Sequence, residues 1–255
     1  MGGQTLGYPS APLFLFGNES QFCTATSGNN VGWVDFPVSF AAPPVFVGGM
    51  DESINDSGAN WMRMHRLATN RAGIRCNSNL DGIDWFAIEP GTWTIDQKQV
   101  QAGIVTGPVT NGQAIFFNQI FSAPPVVLLM IDETGNQSGG VYVRIINTVT
   151  TGGFEIYTDG TFDNLHWVAM DAGEYNAGGF HWFAGVQAVP GCSSACSFSL
   201  PTGMFTDSVH GVMTINDTNN NGASWVRHRE MSDASVTVRM NSGTENLHYM
   251  VWERD

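Results

Sequence analysis

The chain has 255 residues with 10 Lys and Arg against 23 Asp and Glu, which gives a formal charge of −13 at pH 7. So acidic a surface repels phosphate backbones and anionic headgroups, and this excludes nucleic acid as a partner. The hydrophobic content of 42% excludes a disordered chain, and the 30 glycines and 16 phenylalanines suit turns and sheet cores.

The N-terminal stretch, residues 1–11, has no basic residue, and the apolar run after it is too short for a signal peptide. No segment approaches the length of a membrane span. We therefore expect either an intracellular protein or one that leaves the cell without a cleavable signal, as virion proteins do on lysis. Residues 1–11 are predicted to form an arm that could thread into a partner.

The four cysteines lack the CxxC spacing and the nearby histidines of a zinc site. Cys192 and Cys196 could close a small loop as a disulfide outside a reducing cell, and two free thiols in a loop are an equally open alternative. Cys76 lies in a predicted strand, where we expect a packed thiol.

Internal repetition is the strongest pattern in the sequence. Closing aromatic residues recur at intervals of 82 residues (167 − 85 and 249 − 167), and each is followed four residues later by an acid. An aromatic-x-Arg triplet recurs at intervals of 81 and 83 residues (144 − 63 and 227 − 144). These sets are Trp85, Trp167 and Tyr249; Glu89, Asp171 and Glu253; and Arg63, Arg144 and Arg227. The spacings predict repeats over residues 12–97, 98–179 and 180–255, joined by short links.

Within each repeat the patterns are those of β-strands, without a sustained helical periodicity. In the middle repeat, residues 125–131 and 167–170 are apolar on both faces and therefore need cover on both sides. A sandwich of about 80 residues covers only one face, so the other must meet a neighbouring repeat. We predict an all-β protein whose three repeats pack around a pseudo-threefold axis as an intramolecular pseudo-trimer.

The middle repeat resembles the H-type lectin domain, a family that includes snail agglutinins and slime-mould discoidins, with similar domains in bacteriophage tail proteins. The motifs that carry the resemblance are Gly103, Phe-x-x-x-Phe at 117–121, Pro-Pro-Val-Val-Leu-Leu at 124–129, Val-x-Val-Arg at 141–144, Thr-x-x-Gly-Phe at 150–154 and Trp-x-Ala at 167–169. The resemblance implies a six-stranded antiparallel β-sandwich that assembles as a trimer, and hence three such sandwiches in tandem here.

In sugar-binding members of that family, N-acetylgalactosamine lies between adjacent subunits. An arginine before the central strand and an aromatic–histidine pair after the Gly-Phe strand hold it. Where that pair would fall, this chain has residues 77–79 (Asn-Ser-Asn), 158–160 (Thr-Asp-Gly) and 241–243 (Asn-Ser-Gly). The resemblance therefore implies the fold but not the N-acetylgalactosamine site.

Polar residues of the second and third repeats are the candidate glycan ligands: Asp132, Asn136, Tyr157, Asp159, His166 and His248. His166 and His248 precede the closing aromatics at equivalent positions, where the first repeat has Asp84. These three groups could meet around an axis or line a groove, and they could equally be polar residues beside a core aromatic.

The repeated arginines and acids suggest a structural role. Arginine forms bidentate pairs with carboxylates, so we interpret Arg63, Arg144 and Arg227 as inter-repeat partners of Glu89, Asp171 and Glu253. The acidic loop pairs, such as Asp132–Glu133, match no cation-binding motif, so no metal is predicted. The sequence also has no nucleophile elbow, P-loop or His-Glu metal helix, so we expect neither catalysis nor a cofactor.

Together these features predict a non-enzymatic virion protein of a phage tail or fibre, with lectin-like modules that bind host-surface glycans during adsorption. The first alternative is a purely structural virion hub, collar or capsid decoration, held to other tail proteins through residues 1–11. The second is a free secreted adhesion lectin, which needs an export route that the sequence does not show. The expected location is the virion or the extracellular space.

Overall fold

The structure is a computed structural model that describes residues 11–23, 30–51, 61–76, 80–134, 141–190, 192, 195–207, 209–217, 225–240 and 246–254. All helices and strands identified in these ranges are β-strands, which confirms the all-β prediction. None of the described segments forms a helix long and apolar enough to cross a bilayer.

The strands follow the repeats in chain order. The first repeat contains β1 (Phe14–Phe22), β2 (Asn30–Asp35), β3 (Val45–Asp51), β4 (Met62–Leu67), β5 (Arg71–Cys76) and β6 (Leu80–Ile88), followed by β7 (Gly91–Ile95). The second contains β8 (Lys98–Val109), β9 (Ala114–Phe116), β10 (Val126–Asp132), β11 (Val143–Ile146), β12 (Gly153–Thr158) and β13 (Phe162–Met170), followed by β14 (Gly173–Ala177). The third contains β15 (Phe180–Ala188), β16 (Ala195–Ser199), β17 (His210–Asn216), β18 (Val226–Met231), β19 (Ser235–Met240) and β20 (Asn246–Arg254).

Three sheets are formed, and each combines strands from two repeats. Their strand orders are β1-β6-β3-β18-β19-β16, β2-β5-β4-β10-β13-β8-β7 and β14-β15-β20-β17-β11-β12-β9. Each repeat thus gives its first, sixth and third strands to one sheet and its second, fifth and fourth strands to the next. The three repeats therefore close a ring in which every repeat contacts both others.

Within each sheet, a short parallel bridge joins a strand of one repeat to a strand of another, whereas strand pairing within a repeat is antiparallel. The bridging residue pairs occupy equivalent positions: Met64 with Asp132, Ile145 with Asn216, and His228 with Asp51. The sheets are consequently continuous from one repeat to the next and are not confined to single sandwiches. This continuity gives a hydrogen-bonding neighbour to strand edges that a separate sandwich would leave unpaired.

The links between repeats are tight hairpins. β7 and β8 meet at Asp96–Gln97, and β14 and β15 meet at Gly178–Gly179. All four turn residues have positive φ angles, as a type I′ turn requires. Because two-residue turns allow little movement, consecutive repeats are held close together.

The prediction that some strands are apolar on both faces is confirmed. In β10, Val127, Leu129 and Ile131 pack inside the second repeat's own core. The alternate residues Val126, Leu128 and Met130 join a core shared with the other repeats. Burial of two faces explains why this strand has a continuous apolar run rather than the alternation of a half-exposed strand.

A glycine in the first strand of each repeat lies beneath the closing aromatic ring. A Cβ added to Gly103 would lie 2.6 Å from Trp167 Cζ2, which is too short for two carbon atoms. Gly17 meets Trp85 and Gly185 meets Tyr249 in the same way. The repeated glycine therefore follows from packing, since no larger residue leaves room for the ring.

Two disulfides are present, Cys23–Cys76 and Cys192–Cys196. The expectation that Cys76 is a packed thiol is wrong, because its sulfur is bonded to Cys23. The two residues are 53 apart in sequence, and only the fold brings the end of β1 to the end of β5.

Candidate functional site

A cavity of about 100 Å³ lies where the three repeats meet, and we call it the axial cavity. The central strands β3, β10 and β17 line it through residues 48–50, 129–131 and 213–215, which occupy equivalent positions. The residues before β4, β11 and β18 add an aromatic rim of Trp61, Tyr142 and Trp225. A cavity of this volume holds several water molecules. Its lining combines apolar and aromatic side chains with the polar side chains of Thr214, Arg227 and His228.

The three repeats contribute unequally to the lining of the cavity. Arg227 and His228 of β18 line it, whereas Arg63 and Arg144, the equivalents of Arg227, do not. Opposite them, Gly48 and Gly49 of β3 supply no side chain where the other repeats have larger residues. The cavity is therefore asymmetric, although equivalent residues of all three repeats line it.

Two arginines stack against rings of the aromatic rim. The guanidinium of Arg63 lies 4.4 Å from the centre of the Trp61 ring, and that of Arg227 lies 4.7 Å from the Trp225 ring. Both distances fit cation–π contacts, which hold the indole rings in a fixed orientation. Burial lowers the pKa of Arg227 to about 10, and repulsion from Arg239 and Arg229 contributes. The side chain nevertheless stays cationic at neutral pH.

The second repeat arranges the same groups differently. Arg144 lies over Tyr157, its cross-strand partner, with 4.2 Å between the guanidinium and the ring centre. The Tyr142 amide donates to Asp159 Oδ1 at 2.7 Å. Burial and the charge of Asp159 raise the pKa of the Tyr142 phenol. Tyr157 and Asp159, two of the predicted glycan ligands, are thus connected to the rim, and Asp159 is exposed.

The predicted ligands His166 and His248 are buried at junctions between repeats, with 1% and 2% of their surfaces exposed. The Phe46 amide of the first repeat donates to His166 Nδ1 at 3.2 Å. The Val127 amide of the second repeat donates to His248 Nδ1 at 3.0 Å. Each imidazole therefore satisfies a buried amide of the neighbouring repeat, a position that favours a junction role over direct ligand contact.

The tautomer of His248 follows from this hydrogen bond. Because Nδ1 accepts the Val127 amide, the single proton of the neutral ring must be on Nε2. Nε2 lies 3.3 Å from the side-chain amide of Asn216, so the carbonyl oxygen of that amide belongs on the side facing the ring. Burial lowers the pKa of His248 to about 4, which keeps the ring neutral at physiological pH.

The first repeat has Asp84 at the equivalent position. The Gly211 amide of the third repeat donates to Asp84 Oδ2 at 2.8 Å, and His210 Nδ1 lies 3.0 Å from Asp84 Oδ1. His228 Nε2 is 3.1 Å from Asp84 Oδ2, close enough for an ion pair although the ring N–H is not directed at the oxygen. Three equivalent residues thus accept three equivalent amides, and the acceptor is a carboxylate at this junction and an imidazole at the other two.

The remaining predicted ligands are Asp132 and Asn136. Asp132, at the end of β10, accepts a hydrogen bond from Asn164 at 2.9 Å and lies 3.8 Å from His166 Nε2. Asn136 lies outside the described residues, as do residues 1–10 of the predicted arm.

The repeated acids accept hydrogen bonds from backbone amides. Glu89 accepts the Leu13 amide and Asp171 accepts the Gln99 amide, both at the start of their own repeats. Glu253 accepts the amides of Thr206 and Asp207. These acids therefore secure backbone within one repeat.

The carboxylate that acts on Arg63 is Glu133 of the second repeat. Burial lowers the pKa of Arg63, and Glu133 opposes this shift. The Glu133 amide also donates to Met64 O at 2.9 Å, and Asp217 makes the equivalent bond to Ile145 O at 3.0 Å. Arg63 thus lies near an acid of the neighbouring repeat, because the end of β10 lies beside β4.

Sequence reasoning missed two groups. Trp61, Tyr142 and Trp225 were recognised as a repeat marker but not as a common rim, because their meeting depends on ring closure. His210 and His228 were not assigned a role. The available signal was their difference from equivalent residues, Val126 for His210 and Ile145 for His228.

Within the described ranges, no group of three or more His, Cys, Asp or Glu side chains is arranged to hold a metal ion. No protein-family model and no curated protein matches the chain.

Proposed function

We propose that this is a non-enzymatic virion protein, at a phage tail or fibre, that recognises host-surface glycans during adsorption. The observation that carries the proposal is the axial cavity, which the three repeats line with the aromatic residues Trp61, Tyr142 and Trp225. The C–H faces of a sugar ring pack well on aromatic side chains, and polar groups at the rim bind its hydroxyls. Asp159 and Arg227 are polar groups in or next to that rim.

The fold detail of the proposal is three H-type lectin-like sandwiches over residues 12–97, 98–179 and 180–255. Six strands from each repeat, divided three and three between two sheets, support it. Because the axial cavity uses all three repeats, we assign one principal glycan site to each chain. Affinity at a single site of this size is expected to be modest, so adsorption would depend on several copies acting together.

The two disulfides support a location outside a reducing cytoplasm, since such bonds persist mainly in oxidising surroundings. This agrees with a virion surface or an extracellular site. The protein's partners would then be host glycans and neighbouring tail proteins.

The test is a host-glycan array with the purified chain, followed by titration of the best-binding glycan against three variants. Trp61→Ala and Trp225→Ala should each weaken binding about tenfold or more, as loss of a central aromatic anchor does. Trp33→Ala is the matched control, because Trp33 also stacks on an arginine (Arg71, 4.4 Å) but lies outside the cavity. No binding to any host glycan at millimolar concentration, together with normal adsorption of particles lacking the protein, would refute the proposal.

A structural virion role is the second candidate, and an exposed apolar pair favours it. Phe116 and Ile120 are each 77% exposed at the outer edge of the second repeat. The equivalent of Phe116 is Asp35 in the first repeat and Ser199 in the third, so the pair is not a requirement of the fold. Phe116→Asp with Ile120→Asp, and separately deletion of residues 1–11, should reduce incorporation into particles if the role is structural. Full incorporation of both variants would argue against it.

A further inference from the structure

The ring of repeats is closed between its first and last members. Hairpin turns link the first repeat to the second and the second to the third, whereas no hairpin turn links the third to the first. That junction depends on the contact of β3 with β18 and on side chains. Its stability therefore decides whether the ring stays closed.

A buried charge cluster occupies this junction. Asp84 of the first repeat, with its side chain 3% exposed, lies 3.0 Å from His210 Nδ1 and 3.1 Å from His228 Nε2 of the third repeat. The other nitrogen of His228 lies 3.6 Å from Asp51 Oδ1. One carboxylate thus receives two imidazoles from the opposite repeat, and a second carboxylate receives one of them.

Three coordinated differences distinguish this junction from the other two. Where Asp84 stands, the other repeats have histidines. Where the third repeat has His210, the others have Val45 and Val126. Where it has His228, the others have Met64 and Ile145. A carboxylate and its two basic partners are therefore found together at the one junction that lacks a covalent link.

We propose that Asp84, His210 and His228 form a clasp that closes the ring, and that the clasp is strongest in mildly acidic solution and weakens as His210 loses its proton at higher pH. A cationic imidazole beside a buried carboxylate compensates for its desolvation, and removal of that partner leaves the carboxylate with the full cost of desolvation.

The electrostatics of the cluster agree with this behaviour. Burial by itself would raise the pKa of Asp84, but the nearby charge of His228 and the hydrogen bond and charge of His210 outweigh it and lower the pKa to about 2. The hydrogen bond to Asp84 raises the pKa of His210. Asp84 therefore contributes stability above its unfolded pKa of about 4, and His210 contributes fully below its unfolded pKa of about 6.5. The clasp has its full strength between these values.

Other charged groups around the cluster act in the same direction. Burial raises the pKa of Asp51, and repulsion from Asp84 and Asp81 adds to the shift, while His228 and His210 oppose it. A carboxyl with a raised folded pKa contributes less to stability as the pH rises from its unfolded pKa through the raised one, so Asp51 and His210 both contribute less as the pH rises. Apolar contacts at the junction persist at every pH, such as the 5.0 Å ring contact of Phe16 with Trp252. The clasp therefore adds to the stability of a junction that apolar contacts also hold together.

The test compares the wild type with two variants by thermal unfolding at pH 5.5 and pH 8.5. Asp84→Asn should lower the melting temperature by roughly 6–12 °C at pH 5.5, and by clearly less at pH 8.5. A triple variant, D84H/H210V/H228M, installs residues that the other junctions use. It should fold, and its melting temperature should rise relative to the wild type as the pH increases from 5.5 to 8.5.

Two site-resolved measurements keep the test independent of variant folding. Histidine NMR titration of the wild type should place the pKa of His210 above that of a histidine in an unstructured peptide. Hydrogen exchange, corrected for intrinsic rates, should show that protection of the Gly211 amide falls several-fold from pH 5.5 to 8.5 relative to the Val127 amide. Equal melting differences at both pH values, or a His210 pKa at or below the peptide value, would overturn the clasp.

Discussion

The junction between the first and third repeats and the junction between the second and third solve the same problem with different chemistry. In both, a backbone amide in the second position of a central strand is buried and needs an acceptor. Asp84 accepts the Gly211 amide at one junction, and His248 accepts the Val127 amide at the other. The backbone geometry thus requires a hydrogen-bond acceptor, but that acceptor can be charged or neutral.

The choice of acceptor determines which other residues the junction needs. A neutral imidazole requires one further hydrogen-bonding group, which Asn216 supplies to His248. A carboxylate requires cationic partners, which His210 and His228 supply to Asp84. The two junctions therefore depend on pH in opposite ways, since burial lowers the pKa of His248 and the hydrogen bond to Asp84 raises that of His210.

The largest expected effect comes from a carboxylate placed at the imidazole junction. His248→Asp puts a charge against the Val127 amide with no basic partner. Leaving a buried charge unpaired costs about 3–5 kcal/mol of unfolding free energy, and denaturant unfolding at pH 7 measures it. Adding Val126→His and Ile145→His, the equivalents of His210 and His228, should recover part of the loss. A single variant as stable as the wild type would show that this junction tolerates charge.

The next effect is the loss of stability on acidification caused by His248. Because its folded pKa of about 4 lies below the unfolded value of about 6.5, its contribution is complete above pH 6.5 and is lost as the pH falls. Relative to His248→Asn, which retains an acceptor, the wild type should lose about 3 kcal/mol more between pH 7 and pH 4. Parallel stability curves for the two proteins would contradict the neutral buried imidazole.

A smaller effect is expected where β3 approaches β17. A Cβ on Gly49 would lie 2.6 Å from Gly211 O, so Gly49→Ala must separate the first and third repeats. Overpacking of this kind costs about 1–3 kcal/mol. Gly152→Ala is the control, because nothing lies within 4 Å of its added Cβ. Equal denaturation midpoints for the two variants would mean that the backbones do not touch as described.

The smallest effect separates the two histidines of the clasp. The His210 side chain is 38% exposed, so solvent screens its interaction with Asp84. His210→Val should therefore cost only about 0.5–1 kcal/mol at pH 5.5, and less at pH 8.5. His228→Met, which alters a side chain 5% exposed, should cost more. The reverse order would assign the main role in the clasp to the exposed ring.

Much of the fold could be predicted from residue patterns. The two-faced apolar run ending at Ile131 required a second packing partner, and the structure supplies it in the shared core. The recurrence of Trp85, Trp167 and Tyr249 predicted repetition. The positions of Asp84, His166 and His248 were recognised as equivalent, because local spacing is retained within each repeat.

The site was harder to predict because its contacts join distant repeats. The effect of Glu133 on Arg63 was not predicted, since the sequence does not reveal that the end of β10 reaches the neighbouring repeat's strand. Cys76 was expected to be a free thiol, since its partner Cys23 is brought near only by folding. Pairings of this kind depend on how the three repeats close into a ring, so the residue spacing within one repeat does not reveal them.

The sequence alone determined the all-β class, the repetition and the need for each repeat to bury two faces, because side-chain alternation and apolar content are local properties. The tertiary structure decided which groups meet: the cyclic sharing of sheets, the residues that line the axial cavity and the contacts between Asp84 and the two histidines. These features depend on closure of the first repeat against the third, where contacting groups such as Asp84 and His210 are 126 residues apart.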